Sequence, residues 1–158
     1  MSIAYRPMRP GQEDAVATLV RQLAKDLSVA KTPVVTGELL RQWKGQHHVM
    51  VAENAGLLCG ICTWFYIYST WRGTKGVYIS DLYVLGHLRG RKIGEGLLRA
   101  TAKEAAKQGS AFMKLDVRKG MPRQKKFYET LGFSHDTEID TYHLELDALN
   151  SFIAEKAA

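Results

Sequence analysis

Residues 82–99 read Leu-Tyr-Val-Leu-Gly-His-Leu-Arg-Gly-Arg-Lys-Ile-Gly-Glu-Gly-Leu-Leu-Arg, and no other stretch restricts the fold as much. An apolar run ends at Val84, a turn rich in glycine and cations follows, and an amphipathic pattern opens at Ile93. That order predicts a strand, a phosphate-sized loop and a helix N-terminus. Gly90, Gly94 and Gly96 carry no Cβ, so the backbone there can come close to a ligand. The first amides of a helix have no partner inside it, and the helix dipole is positive at that end. The segment is therefore suited to an anion, and Arg89, Arg91 and Lys92 set three cations beside it.

The spacing narrows the anion. It is not G-x-x-x-x-G-K-[ST], which disfavours a nucleoside triphosphate loop, and it is not G-x-G-x-x-G, because Arg99 stands where the third glycine would be. It reads Arg91-x-x-Gly94-x-Gly96, preceded by Val84 and Arg89-Gly90. A basic helix cap on an ordinary α/β domain is the plain alternative for the loop taken alone.

The 158 residues are expected to form a single domain over 1–158, and 46% hydrophobic residues are enough for a real core. No apolar run approaches the ~20 residues a membrane span needs. The N-terminus, Met1-Ser2-Ile3-Ala4-Tyr5-Arg6, lacks a signal-peptide core, so a soluble cytoplasmic protein is expected. The net charge of +6 raises nucleic acid as a partner. The cations cluster, however: Arg89, Arg91 and Lys92 in one short segment, Arg118, Lys119, Arg123, Lys125 and Lys126 in another. Both flank expected helix starts, which suits a compact polyanion better than a long duplex. Cys59 and Cys62 form a C-x-x-C pair inside an expected strand. Positions three apart on a strand point to opposite faces, and no second pair completes a zinc site, so both are expected to be small core residues.

In chain order, Ile3–Met8 is an expected strand, Asp14–Leu27 a helix, and Gly37–Trp43 a second helix started by Thr36. His47–Glu53 and Leu57–Tyr68 are strands around the Asn54-Ala55-Gly56 turn, and Val77–Val84 delivers the chain to the loop. Ile93–Gln108 is the strongest helix, with Ile93, Leu97, Thr101 and Ala105 on one face. Phe112–Val117 is a strand, Pro122–Leu131 a helix, Phe133 the start of another strand, Thr141–Leu146 the last strand, and Ala148–Lys156 a helical tail. The expected class is α/β (α+β), with a mixed central sheet of about seven strands flanked by helices in the order β-α-α-β-β-β-α-β-α-β-β.

Loop, order and further segments together resemble the GNAT superfamily of N-acetyltransferases. Phe127-Tyr128-Glu129-Thr130-Leu131-Gly132-Phe133 is similar to a segment of that family, as is the opening Ile3-Ala4-Tyr5-Arg6-Pro7. Tyr68-Ser69-Thr70-Trp71-Arg72-Gly73, Val77–Val84 and Gln22-Leu23-Ala24-Lys25 resemble its diamine (spermidine/spermine and thialysine) branch. Three features depart from the pattern. Lys92 replaces a common loop glycine, Met121 replaces an asparagine near the pantetheine arm, and Leu27 and Ser80 replace acidic residues of the diamine branch.

The resemblance implies acetyl-CoA as co-substrate, no metal, a homodimer, and a small-molecule amine as acceptor. A protein N-terminus or lysine, an amine antibiotic, or a non-catalytic CoA-binding role are the alternatives. A lysine-like amine has a pKa of about 10.4, so the attacking nitrogen must first lose a proton. By resemblance, Tyr128 protonates the leaving thiolate and Asp81 is the base or amine anchor. Asp26 and Asp116 are further candidates for the acceptor pocket. Leu82, Tyr83 and Val84 are expected along the pantetheine arm. Arg89, Gly90, Arg91, Lys92, Ile93, Gly94, Glu95 and Gly96 are expected at the pyrophosphate, and Pro122, Arg123 and Gln124 near the arm or nucleotide. His87 and His143 are expected to be solvated.

Overall fold

A computed structural model gives the structure of the protein, describing residues 2–154. The chain divides into two compact units, Met1–Lys119 and Gly120–Ala158.

The first unit holds a five-stranded sheet in the order β1-β2-β3-β4-β5, formed by Ala4–Pro7, His48–Asn54, Leu57–Ser69, Thr74–Val84 and Ser110–Leu115. Neighbours are antiparallel except β4 and β5, which are parallel and joined through helix α3, Ile93–Lys107. Helices α1 (Glu13–Asp26) and α2 (Gly37–Gln42) lie on the opposite face from α3. Val16, Ala17, Leu19 and Leu40 of α1 and α2 pack with Val49, Val51, Ile61 and Tyr83. On the other side Leu97 of α3 lies over Gly60, where a Cβ would come 3.1 Å from it. Because neighbours on a strand face opposite ways, Ile61 and Gly60 mark the two sides. A sheet covered on both faces explains why Leu57–Ser69 reads as a nearly continuous apolar run. Cys59 and Cys62 are both buried in it, as expected of small core residues. The register shift between Ala52 and Glu53 leaves Cys59 as an extra residue, so the alternation that would put the two cysteines on opposite faces is broken.

The expected elements of this unit are present to within a few residues. The Thr36 hydroxyl accepts from the Leu39 amide at 3.2 Å and caps α2. Ile93, Leu97, Thr101 and Ala105 are all buried. The β3–β4 connection is shorter than the expected strand bounds imply, because β3 runs to Ser69 and β4 begins at Thr74, three residues before Val77.

The second unit contains α4, Pro122–Thr130, and α5, Leu146–Ala154. Pro122 occupies the first turn of α4, where its missing N–H costs nothing. The two strands expected after Phe133 and over Thr141–Leu146 are not formed, so the described sheet has five strands rather than about seven. Between the helices the Asp136 carboxylate accepts from the Glu138 amide at 3.0 Å, a local turn that competes with a ladder. The alternation of Tyr142 and Leu144 supplies a face but no paired neighbour among the described residues, and both are exposed. His143 is exposed too, but in irregular chain rather than on a strand. The expected helical tail starts earlier, at Leu146, and its far end at Lys156 lies outside the described residues.

Gly96 has a role its sequence context did not suggest. A Cβ there would come within 2.2 Å of the Tyr5 ring, so the missing side chain is filled by β1 rather than left open for a ligand. Gly96→Ala gains about 1 kcal/mol of helix propensity but overpacks against the ring, which typically costs about 1–3 kcal/mol. The expected result by urea denaturation is a net loss of stability. In a Tyr5→Leu background the same substitution is expected to become neutral or stabilising.

Candidate active site

The loop after β4 is built as an anion seat. A single 3-10 turn, Gly86–Leu88, follows the strand, with His87 exposed on it. Gly90 then takes φ +78° and Lys92 takes φ 61°. Lys92 is the N-cap of α3, and no side chain caps that end. The helix ladder begins with the Gly96 amide donating to the Lys92 carbonyl at 3.0 Å. The amides of Ile93, Gly94 and Glu95 therefore precede the ladder and have no partner within it. A lysine in the left-handed region carries strain of about 1–2 kcal/mol. The common glycine of the resembling family would avoid it, so the departure at Lys92 adds a cation at some conformational cost.

The end of β4 supplies a second feature. Its pairing with β5 runs from Lys75↔Ser110 to Ile79↔Leu115 and stops there, while β4 continues to Val84. Over residues 80–84 the edge that faced β5 has no strand partner among the described residues. Unpaired strand N–H and C=O groups are a template for an extended ligand. Ligands of open α/β sheets bind where parallel strands end and diverge. The Val84 carbonyl is already engaged by Arg89 Nε at 3.0 Å.

A bulge in β4 sorts the side chains. Thr63 pairs with Asp81 but its neighbour Trp64 pairs with Ile79, so Ser80 is the extra residue. Without it, Tyr78 and Asp81 would point to opposite faces. With it they share the α1 side of the sheet, because their partners Phe65 and Thr63 are two apart on β3. The Thr63 hydroxyl donates to Asp81 Oδ2 at 2.5 Å. The Tyr78 hydroxyl donates to Asp116 Oδ2 at 2.7 Å, and its ring lies 5.2 Å from that of Phe65. Burial, the hydrogen bond to Asp116 and the charges of Asp116 and Asp81 push the Tyr78 phenol up to about 12. Two carboxylates thus converge on one phenol. Burial holds His47 below the usual imidazole range, and the Asp81 charge opposes that shift.

Asp26 lies elsewhere. It ends α1, accepts from Gln22 Nε2 at 2.8 Å and from the Tyr83 hydroxyl at 3.1 Å, and pairs with the Arg89 guanidinium. The Gln22 bond first, then those from Arg89 and Tyr83, hold its carboxyl below the usual range. Of the residues read from sequence, Leu82, Tyr83 and Val84 end β4, and Arg89, Gly90, Arg91, Lys92, Ile93, Gly94 and Glu95 form the loop and helix start. Asp81 and Asp116 meet around Tyr78, whereas Asp26 is fastened to the loop.

In the second unit, Pro122, Arg123 and Gln124 are exposed in the first turn of α4. Tyr128 is half-buried on that helix, its ring 5.1 Å from Phe127 and 5.6 Å from Phe133. Burial pushes the Cys62 thiol up to about 12, which suits a packing role and not a nucleophile. Among the described residues no group of three or more His, Cys, Asp or Glu is placed to hold a metal ion.

Sequence reading missed Tyr78, Thr63 and Phe65. A strict period of two puts Tyr78 and Asp81 on opposite faces, and nothing in Val77-Tyr78-Ile79-Ser80-Asp81 marks a bulge. The Tyr78–Asp116 bond is testable by ultraviolet titration of the tyrosines. The highest step, near pH 12, is expected to vanish in Tyr78→Phe and to move toward 10 in Asp116→Asn. Because the folded phenol holds its proton above the unfolded value, this contribution to stability is complete below about pH 10. It falls as pH rises from there toward 12.

The model of the Acetyltransferase (GNAT) family matches residues 18–133. The thialysine N-epsilon-acetyltransferase of Sus scrofa is 27% identical over 154 residues, covering 90% of each chain. An integron cassette protein from the mobile metagenome of V. cholerae superposes with a TM-score of 0.80 at 19% identity, over 98% of this chain and 99% of that one. An aminoglycoside acetyltransferase from an uncultured soil metagenomic sample, in complex with sisomicin, superposes with a TM-score of 0.78 at 16% identity, over 92% and 97%.

Proposed function

Because the chain belongs to the acetyltransferase (GNAT) family, we propose that it moves the acetyl group of acetyl-CoA directly to a primary amine of a small molecule, a polyamine or lysine-like amine, in a ternary complex. The observation that carries the acceptor class is the pair of carboxylates, Asp81 and Asp116, gathered around Tyr78 on one face of the sheet. Anionic groups on an aromatic wall suit a cationic amine. The name of the 27%-identical relative, a thialysine N-epsilon-acetyltransferase, points the same way. The carboxylates lost at Leu27 and Ser80 leave Asp81 and Asp116 to hold the acceptor's charge.

The residues present fit acetyl-CoA. The amides of Ile93, Gly94 and Glu95, with Arg89, Arg91 and Lys92 around them, would hold the diphosphate. The unpaired edge of Leu82, Tyr83 and Val84 would hold the pantetheine arm by main-chain hydrogen bonds. Pro122, Arg123 and Gln124 are assigned to the arm or the nucleotide. When bound, acetyl-CoA supplies the acyl group as an activated thioester. Asp81, directly or through water, takes the proton from the ammonium, and Thr63 fixes the carboxylate by its 2.5 Å hydrogen bond. A main-chain amide near Tyr83 or Val84 steadies charge developing on the carbonyl oxygen. As the new N–C bond formed and the C–S bond broke, Tyr128 would give its hydroxyl proton to the departing thiolate, and the second proton that the nitrogen loses on becoming an amide would pass through water to the Tyr128 phenolate. The reading takes residues 1–158 as a single acetyltransferase domain. Family resemblance adds a homodimer, and the clustered cations favour a compact polyanion over nucleic acid; a cytoplasmic location is part of the same reading. No helix among the described residues is long and apolar enough to cross a membrane.

The test is release of free CoA thiol from acetyl-CoA with spermidine, putrescine, lysine, thialysine, a peptide with a free N-terminus and an aminoglycoside. Release with the diamines or lysine analogues is expected. Release with peptide or aminoglycoside alone would keep the family and overturn the acceptor class. Acetyl-CoA binding with no release would favour a non-catalytic role. Tyr128→Phe is expected to lower turnover at least about tenfold with little change in acetyl-CoA affinity; unchanged turnover would remove Tyr128 from the mechanism.

A further inference from the structure

The side chain of Arg89 does not simply project from the loop. It stands immediately before Gly90, at the point where the chain turns into its φ +78° conformation. Its Nε donates back to the Val84 carbonyl at 3.0 Å. Its Nη2 pairs with Asp26, and its guanidinium carbon lies 5.4 Å from the centre of the Tyr83 ring. Tyr83 is itself buried in the core and donates its hydroxyl to the same Asp26 oxygen, Oδ2, at 3.1 Å. The other oxygen, Oδ1, is held by Gln22 one turn earlier on α1. Asp26 therefore collects donors from three places: its own helix, the end of β4 and the start of the loop.

We infer that Asp26 is a positioning residue for the CoA-binding loop, and not part of the acceptor pocket for which it was a candidate. This inference rests on the acetyl-CoA reading of the loop. Two of the five guanidinium N–H groups are spent on Val84 and Asp26, in a geometry that fixes the plane of the fork. The remaining N–H groups are thereby aimed before a ligand arrives. A long side chain held in advance loses less freedom on binding. The Asp26 carboxylate is spent on Arg89, so it does not oppose an incoming diphosphate as a bare charge would. The bond to Tyr83 ties the same carboxylate to the strand whose edge is assigned to the pantetheine arm, so one side chain aligns two parts of the cofactor seat.

Acetyl-CoA affinity is measured by calorimetry, and KM for each substrate by thiol release, in Asp26→Asn, Asp26→Glu, Arg89→Gln and the Asp26→Asn/Arg89→Gln double variant, each checked for an unchanged fold by circular dichroism and thermal melting. Asparagine keeps the size of the side chain and its bond to Gln22 but removes the charge that holds Arg89. The expected result is roughly tenfold weaker acetyl-CoA binding in Asp26→Asn, in the range seen for coupled charged pairs. The amine KM is expected to stay unchanged, and glutamate to restore part of the affinity. In the Arg89→Gln background, Asp26→Asn is expected to cost little more, because it acts through Arg89. A raised amine KM with normal acetyl-CoA affinity would return Asp26 to the acceptor pocket and overturn the inference. Full additivity of the two substitutions would overturn it as well, as would unchanged affinity in Asp26→Asn. Failure of the unaltered protein to bind acetyl-CoA would instead overturn the loop reading beneath it.

Discussion

The parallel pairing of β4 with β5 stops at Ile79, and β4 runs on to Val84 without it. The candidate site follows from that parting. A strand edge left without a neighbour must bond water or a ligand, since buried backbone groups rarely go unpaired. The same strand hands the chain to a helix start whose first amides also lack partners. Two sets of unsatisfied backbone donors thus lie in sequence along one segment, one set suited to an extended polar chain and the other to a compact anion. Neither needs a special side chain, so the proposed cofactor seat would be a property of the backbone path.

The proposed acceptor side depends on one inserted residue. Ser80 bulges out of the β3–β4 ladder and reverses the facing of everything before it relative to everything after. Asp81 keeps the face of Tyr83, and Tyr78 is turned onto it too. Thr63 then orients Asp81 and Asp116 orients Tyr78. The resembling diamine branch has an acid where this chain has Ser80. The bulge spends that position on geometry, and the exposed serine contributes no charge.

Much of the fold was legible in the sequence because its signals are local. The glycine and cation pattern after Val84, the helical period from Ile93, the threonine cap at Thr36 and the proline at the head of α4 each act within a turn of chain. Long-range features were not legible. The period of two over Thr141–Leu146 marks a face, yet strand formation needs a partner and the described residues supply none. Gly96 looked like room for a ligand, and the room is taken by Tyr5, more than ninety positions earlier in the chain. The pairing of Asp26 with Arg89, 63 positions away, left no local signal in the sequence. The bulge at Ser80 is set by pairing and burial on both strands together, and no residue in β4 announces it.

Amide hydrogen exchange with and without CoA tests the central claim most directly. Added protection is expected at residues 93–95 and at those amides of residues 80–84 that do not bond β3. Little change is expected at β1, at β2 or at the outer face of α1. Protection confined to other elements, or none at saturating CoA, would contradict the assignment of the parted strand and the open helix end as the cofactor seat.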